Sequence, residues 1–123
     1  MKENKIGGGG IGSLLSTRIV LLRSLVQGNF SGEIVDKKNL PLDAVGGGLF
    51  IHNGSAVLNE SELKENRARS TGGGIQNEGD LVLRFSRITR NKAQDGGGIF
   101  TTRPFVKIDS KIVENEPNNV VTA

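Results

Sequence analysis

Apolar and polar residues alternate along the chain in short stretches. The segments AVLNESEL at 56–63 and LVLRFSRI at 81–88 show this period of two. Alternation over so few residues is typical of β-strands, because amphipathic helices commonly need ten residues or more. The pattern therefore predicts an all-β protein built from short strands, with no large helix.

The strand-like stretches recur behind runs of glycine. Triple glycines begin at Gly46, Gly72 and Gly96, at spacings of 26 and 24 residues, and a further glycine run occupies residues 7–10. Aligning the segments yields two invariant columns, which are Ser24, Ser61, Ser86 and Ser110, and Asn29, Asn66, Asn91 and Asn115. It also yields two apolar columns, which are Leu21, Leu58 and Leu83 with Lys107 as the exception, and Val26, Leu63, Ile88 and Ile112. Self-similarity of this period predicts a stack of repeated units.

Repeated units made of short strands predict a parallel β-helix. We expect a single domain over 1–123, with about four coils at roughly 7–45, 46–71, 72–95 and 96–119. Neighbouring coils then lie about 4.8 Å apart, so that equivalent side chains form ladders in a shared interior. Inward serines and asparagines are tolerated there because each can hydrogen-bond its neighbour or a turn. The leucine-rich repeat is the main rival, but its LxxLxLxxN spacing does not occur here.

Glycine and parity indicate where each coil turns. The glycine runs predict corners that need positive φ or close backbone approach. Inward-facing residues of one strand are an even number of positions apart, but the leucine and serine columns are separated by three positions. This slip of one residue predicts a bend between two short strands. In the last coil Val106, Ile108, Ser110 and Ile112 alternate without the slip. Either a residue is deleted there or this coil is a terminal cap.

The segments GGGLFIHNGSAVLNESELKENRA, GGGIQNEGDLVLRFSRITRNKA and GGGIFTTRPFVKIDSKIVENEP carry a family resemblance. They resemble polymorphic outer-membrane-protein-type repeats, which open on GGAI or GGGI and whose strands end in an asparagine. The resemblance covers about residues 7–119. It implies a right-handed β-helix of the pectin-lyase-like class and an extracellular or cell-surface role directed at carbohydrates or surfaces.

Composition leaves little for cofactor chemistry. The 123-residue chain has no cysteine, and His52 is its one histidine. Zinc and thiolate sites need more such ligands. Gly7, Gly9 and Gly12 match GxGxxG, but the six preceding residues leave little room for the strand that a dinucleotide site requires. No cofactor and no metal site is predicted.

Carboxylates do not cluster in the predicted coils. Glu60 and Asp109 share a column but lie two coils apart, which is about 9.6 Å by strand spacing. Asp36 and Asp43 lie on an excursion at 30–45, where a loop-borne site has room. We predict no catalytic residue, and a polysaccharide lyase or hydrolase fragment is the alternative function, since such enzymes need clustered carboxylates.

One predicted outward surface is rich in cations. Arg84, Arg87 and Arg90 share one coil, with Lys111 beside Arg87 and Glu62 on its other side. Such groups bind sulfated or uronic glycans through charge-assisted hydrogen bonds. The net charge of +3, from 16 basic and 13 acidic residues, permits weak attraction to polyanions. No aromatic residues interleave the cations, so specific nucleic-acid binding is not predicted.

These patterns favour a non-catalytic module for adhesion or surface display, which binds a glycan or a protein on an extended β face. Self-association is a further hypothesis, because the two open ends of such a stack offer unpaired strand edges. The first residues, MKENKI, lack the apolar segment of a secretory signal, and no apolar run approaches the roughly 20 residues that cross a bilayer. Neither a signal nor membrane insertion is predicted.

Overall fold

The computed structural model describes residues 3–4, 10–13, 17–31 and 45–123. These residues form strands and no helix, which confirms the all-β prediction for this part of the chain. In chain order the strands are Glu3–Asn4 (β1), Ile11–Ser13 (β2), Arg18–Leu22 (β3), Leu25–Gln27 (β4), Phe30–Ser31 (β5), Leu49–Asn59 (β6), Glu62–Lys64 (β7), Arg67–Ala68 (β8), Ile75–Arg84 (β9), Arg87–Thr89 (β10), Ile99–Thr101 (β11), Val106–Ile108 (β12), Lys111–Val113 (β13) and Val120–Thr122 (β14). Since the described residues contain no helix, they contain none long and apolar enough to span a membrane.

The strands form three sheets in which every named pair is parallel. The first has the order β1-β5-β8, and the second has the order β13-β10-β7-β4. The third has the order β14-β11-β9-β6-β2, with β12 also pairing with β9 and β3 with β6. Isolated parallel bridges extend the first sheet from Arg67 to Lys92 and from Lys92 to Glu116.

Strand pairing joins the residues that the sequence alignment placed in one column. In the third sheet Leu21 pairs with Leu58, Leu58 with Leu83, and Leu83 with Lys107. In the second sheet Val26, Leu63, Ile88 and Ile112 follow one another in the same way. Most of these apolar side chains lie in one hydrophobic core together with Leu49, Ile51, Ala56, Ile75, Leu81 and Ile99. Burial of apolar surface is the main favourable term that holds the sheets together.

The triple glycines meet both predicted demands. The first residue of each described run has positive φ, which is 64° at Gly46, 67° at Gly72 and 60° at Gly96. The next residue lies against backbone of the neighbouring strand connection, and a Cβ on Gly73 would overlap the carbonyl oxygens of Lys92 and Gly97. A side chain of any size has no room at such a position.

The bend predicted from the parity slip is a single residue in the left-handed region. Between the third and the second sheet, φ is 46° at Arg23, 51° at Glu60, 50° at Phe85 and 43° at Asp109. A second set follows the strands of the second sheet, at Gly28, Glu65, Arg90 and Glu114. Positive φ is uncommon for residues other than glycine. It persists at these corners because the strand pairing on both sides fixes the chain.

The bend of the last predicted coil follows the pattern of the others, which excludes the first of the two alternatives, a deleted residue. Asp109 has the positive φ of its counterparts, and Lys107 pairs with Leu83, so no residue is deleted at this bend. Val106 and Ile108 pair with Val82 and Arg84, which places them in outward columns. The apparent regular alternation came from apolar residues on the outer side of β12.

Phe85 is the bulkiest of the side chains held at positive φ. It is 53% exposed, so its ring contributes little packing. The left-handed conformation costs such a residue about 1 kcal/mol, and asparagine adopts it more readily. We expect Phe85→Asn to raise the free energy of unfolding by about 0.5–1 kcal/mol in urea denaturation. Phe85→Leu, which keeps the strain, is the control, and equal stability of the two variants would contradict this account.

The excursion at 30–45 falls largely outside the described residues. The structure places Phe30 and Ser31 in β5 and describes the chain again from residue 45. The hypothesis of a loop-borne site at Asp36 and Asp43 therefore stays a prediction.

Candidate functional site

Arg87 and Lys111 lie side by side on adjacent strands. Arg87 of β10 pairs with Lys111 of β13 on one side and with Glu62 of β7 on the other. The order Glu62, Arg87, Lys111 is the order expected from the sequence. The Arg87 Nε lies 4.0 Å from the Glu62 Oε2, and both side chains reach solvent. An exposed pair at this distance is weak, so the guanidinium stays accessible to another anion.

Arg90 lies at the turn that follows β10, with φ of 55°. Its Nε is 3.4 Å from the Glu114 Oε2 of the neighbouring turn. Arg90 borders a small groove of about 90 Å³ that Arg87 also lines. It borders a larger groove of about 450 Å³ whose other lining residues are Asn91, Lys92, Glu114, Asn115 and Glu116. Arg90 therefore lines both grooves, which adjoin each other at this residue.

Arg84 lies apart from the other three candidate cations. It ends β9 in the third sheet, where it pairs with Asn59 and Ile108, whereas Arg87 begins β10 in the second sheet. The bend at Phe85 separates the two arginines. The structure thus brings together Arg87, Arg90 and Lys111 and leaves Arg84 on another sheet.

Two further cations that the sequence analysis did not single out, Arg67 and Lys92, lie on the first sheet, and the groove that Arg90 and Lys92 both line connects them to Arg90. They are bridged to each other, and together they line a third groove of about 190 Å³. The Lys92 Nζ lies 3.9 Å from the Glu116 Oε2, and the Arg67 guanidinium lies 5.6 Å from the centre of the Phe30 ring. We call Arg67, Arg87, Arg90, Lys92 and Lys111 the basic face. Arg67 and Lys92 are 25 residues apart and Arg87 and Lys111 are 24 apart. This repeat spacing was the signal in the sequence that could have identified Arg67 and Lys92.

The asparagine column forms a chain of hydrogen bonds across the strands. The backbone N–H of Asn29 donates to the Asn66 Oδ1 (3.0 Å), that of Asn66 to the Asn91 Oδ1 (2.9 Å), and that of Asn91 to the Asn115 Oδ1 (2.9 Å). Each Nδ2 donates to the same acceptor. The Asn91 Nδ2 also donates to the Leu63 carbonyl at 3.1 Å. Each side chain therefore satisfies backbone groups beside a turn.

The serine column satisfies the bends in a similar way. The backbone N–H of Ser24 donates to the Ser61 Oγ (3.0 Å), that of Ser61 to the Ser86 Oγ (3.2 Å), and that of Ser86 to the Ser110 Oγ (3.0 Å). Each hydroxyl in turn donates to the carbonyl two residues earlier. A hydroxyl that accepts and donates at once suits the residue directly after a left-handed bend.

The asparagine chain ends on a residue that the alignment did not place in the column. The Asn119 Oδ1 accepts from the backbone N–H and from the Nδ2 of Asn115, both at 3.1 Å. Beside it, the Asn118 Oδ1 accepts from the Gly96 N–H at 2.7 Å. Asn118 and Asn119 thus accept the last hydrogen bonds of the glycine run and of the asparagine column. The run PNNV at 117–120 is the only sign of this pair in the sequence.

A polar pair lies on the third sheet, away from the basic face. The His52 Nδ1 and the Glu78 Oε1 are 2.8 Å apart on the paired strands β6 and β9. The Gln76 Nε2 donates to the Glu78 Oε2 at 3.0 Å, which fixes the carboxylate. The register of the two strands shifts directly after His52. Bulges of this kind commonly redirect side chains beside functional sites.

The carboxylates singled out in the sequence do not converge. Glu60 and Asp109 both lie at left-handed bends, and the Glu60 Oε2 lies 3.7 Å from the Arg23 Nε. Within the ranges given above, no three histidine or acidic side chains come close enough to hold a metal ion.

Comparisons of the chain with protein-family models, with curated proteins and with solved structures found no match.

Proposed function

We propose that the chain is a right-handed parallel β-helix of about four coils that binds an acidic glycan on its basic face without chemical change. One observation carries the binding proposal. Three adjoining grooves are linked by shared cations, because Arg90 lines the first two and Lys92 lines the second and third. Such a continuous path suits an extended polyanion better than a small compact ligand. The family resemblance adds the expected extracellular or cell-surface setting.

The strand order supports the fold part of the proposal. Each predicted coil contributes one strand to the second sheet, which are β4, β7, β10 and β13 in that spatial order. Parallel strands need crossover connections, and here each crossover passes through the other sheets. An experimental structure that shows the chain winding with the opposite hand would contradict the right-handed assignment.

The ion pairs of the basic face suit an anionic ligand that can take the place of the glutamates as partner of the cations. Arg87, Arg90 and Lys92 each face one glutamate at 3.4 to 4.0 Å, and the three cationic side chains are more than half exposed. Exposed pairs of this kind contribute little, so a sulfate or uronate can replace the glutamate as partner. Arginine presents a planar fork that binds such groups with two hydrogen bonds.

The binding proposal is tested with charged and neutral polysaccharides. We expect a sulfated glycan and polygalacturonate to bind and neutral dextran not to bind, with affinity falling as salt rises. Changing Arg87, Arg90 and Lys111 together to alanine should weaken binding at least about tenfold, or about 1.4 kcal/mol. Isothermal titration calorimetry measures the change.

The matched control removes the same charge outside the basic face, from Arg18 of β3, Arg84 of β9 and Arg103 in the connection between β11 and β12. Arg18, Arg84 and Arg103 changed together to alanine lower the net charge equally but leave the basic face intact. This control should bind as the parent does. Equal losses in the two triple variants would reduce the effect to net charge and reject a dedicated site.

A polysaccharide lyase is the second candidate function, and the His52–Glu78 pair is the observation that favours it. A carboxylate that fixes one imidazole nitrogen leaves the other free to abstract a proton. Incubation with polygalacturonate, followed by ultraviolet absorbance of the unsaturated product, separates the two functions. If product forms and His52→Ala abolishes its formation, the protein is a lyase rather than a non-catalytic binding module.

A further inference from the structure

One continuous segment of the chain, 87–94, contributes to all three grooves of the basic face. Its residues 87, 89 and 90 line the groove of about 90 Å³, and residues 90–92 line the groove of about 450 Å³. Residues 92–94 line the groove of about 190 Å³. The grooves therefore follow one another along the chain, from β10 through the turn at Arg90 to Gln94.

The cations of this segment are shared between successive grooves. Arg87 and Arg90 line the first groove, and Arg90 and Lys92 line the second. Lys92 lines the third groove together with Arg67. Lys111 pairs with Arg87 on the adjacent strand but lines none of the three grooves. An anion that lies in any one of these grooves thus meets at least two cations.

Two cations in one groove favour a sulfate ester over a carboxylate. A carboxylate has two oxygens, and an arginine fork that binds both of them leaves little for a second cation. A sulfate ester presents three accepting oxygens, so it can bind a guanidinium with two and a second cation with the third. The Glu114 Oε2 already lies 3.4 Å from the Arg90 Nε, and the Glu116 Oε2 lies 3.9 Å from the Lys92 Nζ. A uronate would therefore exchange one carboxylate for another.

We propose that the bound glycan carries sulfate esters and that its chain follows segment 87–94 around the turn at Arg90, with sulfate groups between neighbouring cations. The inference rests on the proposed function and adds to it the class of anion and the direction of the bound chain. The alternative direction crosses the strands along the column Leu25, Glu62, Arg87 and Lys111. The glutamate in that column repels a polyanion that would lie along it.

The class of anion is tested with two polymers that share one neutral backbone. Dextran sulfate and carboxymethyl dextran of equal charge per sugar differ only in the anion. We expect calorimetry to show at least about fivefold tighter binding of dextran sulfate, because each sulfate bridges two cations. Equal affinities would overturn the selection for sulfate and leave glycan binding intact. Binding of neither polymer would reject the proposed function and this inference together.

Arg90→Ala tests whether this preference comes from the shared grooves. The variant removes the cation that the first two grooves have in common. The ratio of the two affinities should then fall towards one, because fewer anions bridge two cations. An unchanged ratio would assign the preference to non-specific attraction and overturn the proposal.

The direction of the glycan is tested by single removals of equal charge. Arg90, Lys92 and Lys111 are all exposed, so their alanine variants should keep the fold. We expect Arg90→Ala and Lys92→Ala each to weaken dextran sulfate binding at least about fivefold, and Lys111→Ala to weaken it less than about twofold. A loss in Lys111→Ala as large as that in Lys92→Ala would overturn the direction along the segment.

Added carboxylates test the same direction from its two ends. Gln94 ends the row of grooves, and Leu25 ends the column that crosses the strands. Both side chains are exposed, and changing either to glutamate adds one negative charge. Gln94→Glu should weaken dextran sulfate binding at least about threefold, and Leu25→Glu should have a smaller effect. Equal losses, or a larger loss in Leu25→Glu, would overturn the proposed direction.

Discussion

Gly73→Ala is expected to destabilise the protein by about 3 kcal/mol, at the upper end of the usual range for overpacking. The new Cβ would overlap the carbonyl oxygens of Lys92 and Gly97, which belong to the backbone of the adjacent connection. No flexible side chain can move aside there, and the Gly73 N–H is itself bonded to the Gly96 carbonyl. Overpacking of this kind costs about 1–3 kcal/mol or more. Urea denaturation followed by far-ultraviolet circular dichroism measures the loss.

The control for this substitution is Gly12→Ala. A Cβ on Gly12 meets no described atom within 4 Å, and the residue does not have positive φ. We expect a change within about 0.5 kcal/mol in either direction. Equal unfolding midpoints for the two variants would show that the second glycine of the run is not a site of close backbone approach.

Asn91→Leu should lower the free energy of unfolding by about 3 kcal/mol. Asn91 is 1% exposed, and its Oδ1 accepts from both the N–H and the Nδ2 of Asn66. Its Nδ2 donates to the Leu63 carbonyl. Leucine has the same branched outline but a larger volume, and it leaves these buried groups without partners, each at a cost of about 1–3 kcal/mol. Thermal and urea unfolding give two independent measurements.

Asn29→Leu tests whether burial, rather than asparagine itself, sets this cost. Asn29 is half-buried at the other end of the column, and its backbone N–H still donates to the Asn66 Oδ1 after the change. Water can replace the lost side-chain bonds, so we expect a loss below about 1 kcal/mol. Losses of the same size at both positions would mean that the column does not act through buried hydrogen bonds.

The columns of the sheets were predictable from the sequence because strand pairing repeats the same environment. Leu58 and Leu83 face the same core from adjacent strands, and Ser61 and Ser86 follow the same bend. Positions that share an environment take similar residues, and an alignment detects them. The glycine corners were predictable for the same reason, since glycine alone fits the close approach.

The turn conformations and the extent of the basic face were harder to predict from the sequence. Nothing in the identity of Glu60, Phe85 or Asp109 indicates positive φ, because that conformation is imposed by the strands on either side. The same bend turns the chain from one sheet to the next, so spacing alone did not separate Arg84 from Arg87. The role of Asn119 was also hidden, because it reaches its partner from four residues away rather than from the next segment.

In-register pairing has a genetic consequence. A side chain such as Leu83 is flanked by Leu58 and Lys107, which lie 25 and 24 positions away along the chain. Whether a substitution there is accepted depends on those two neighbours more than on adjacent residues in the sequence. Second-site suppressors of damaging changes should therefore concentrate at these separations, and a mutational scan of residue pairs would show them as off-diagonal bands.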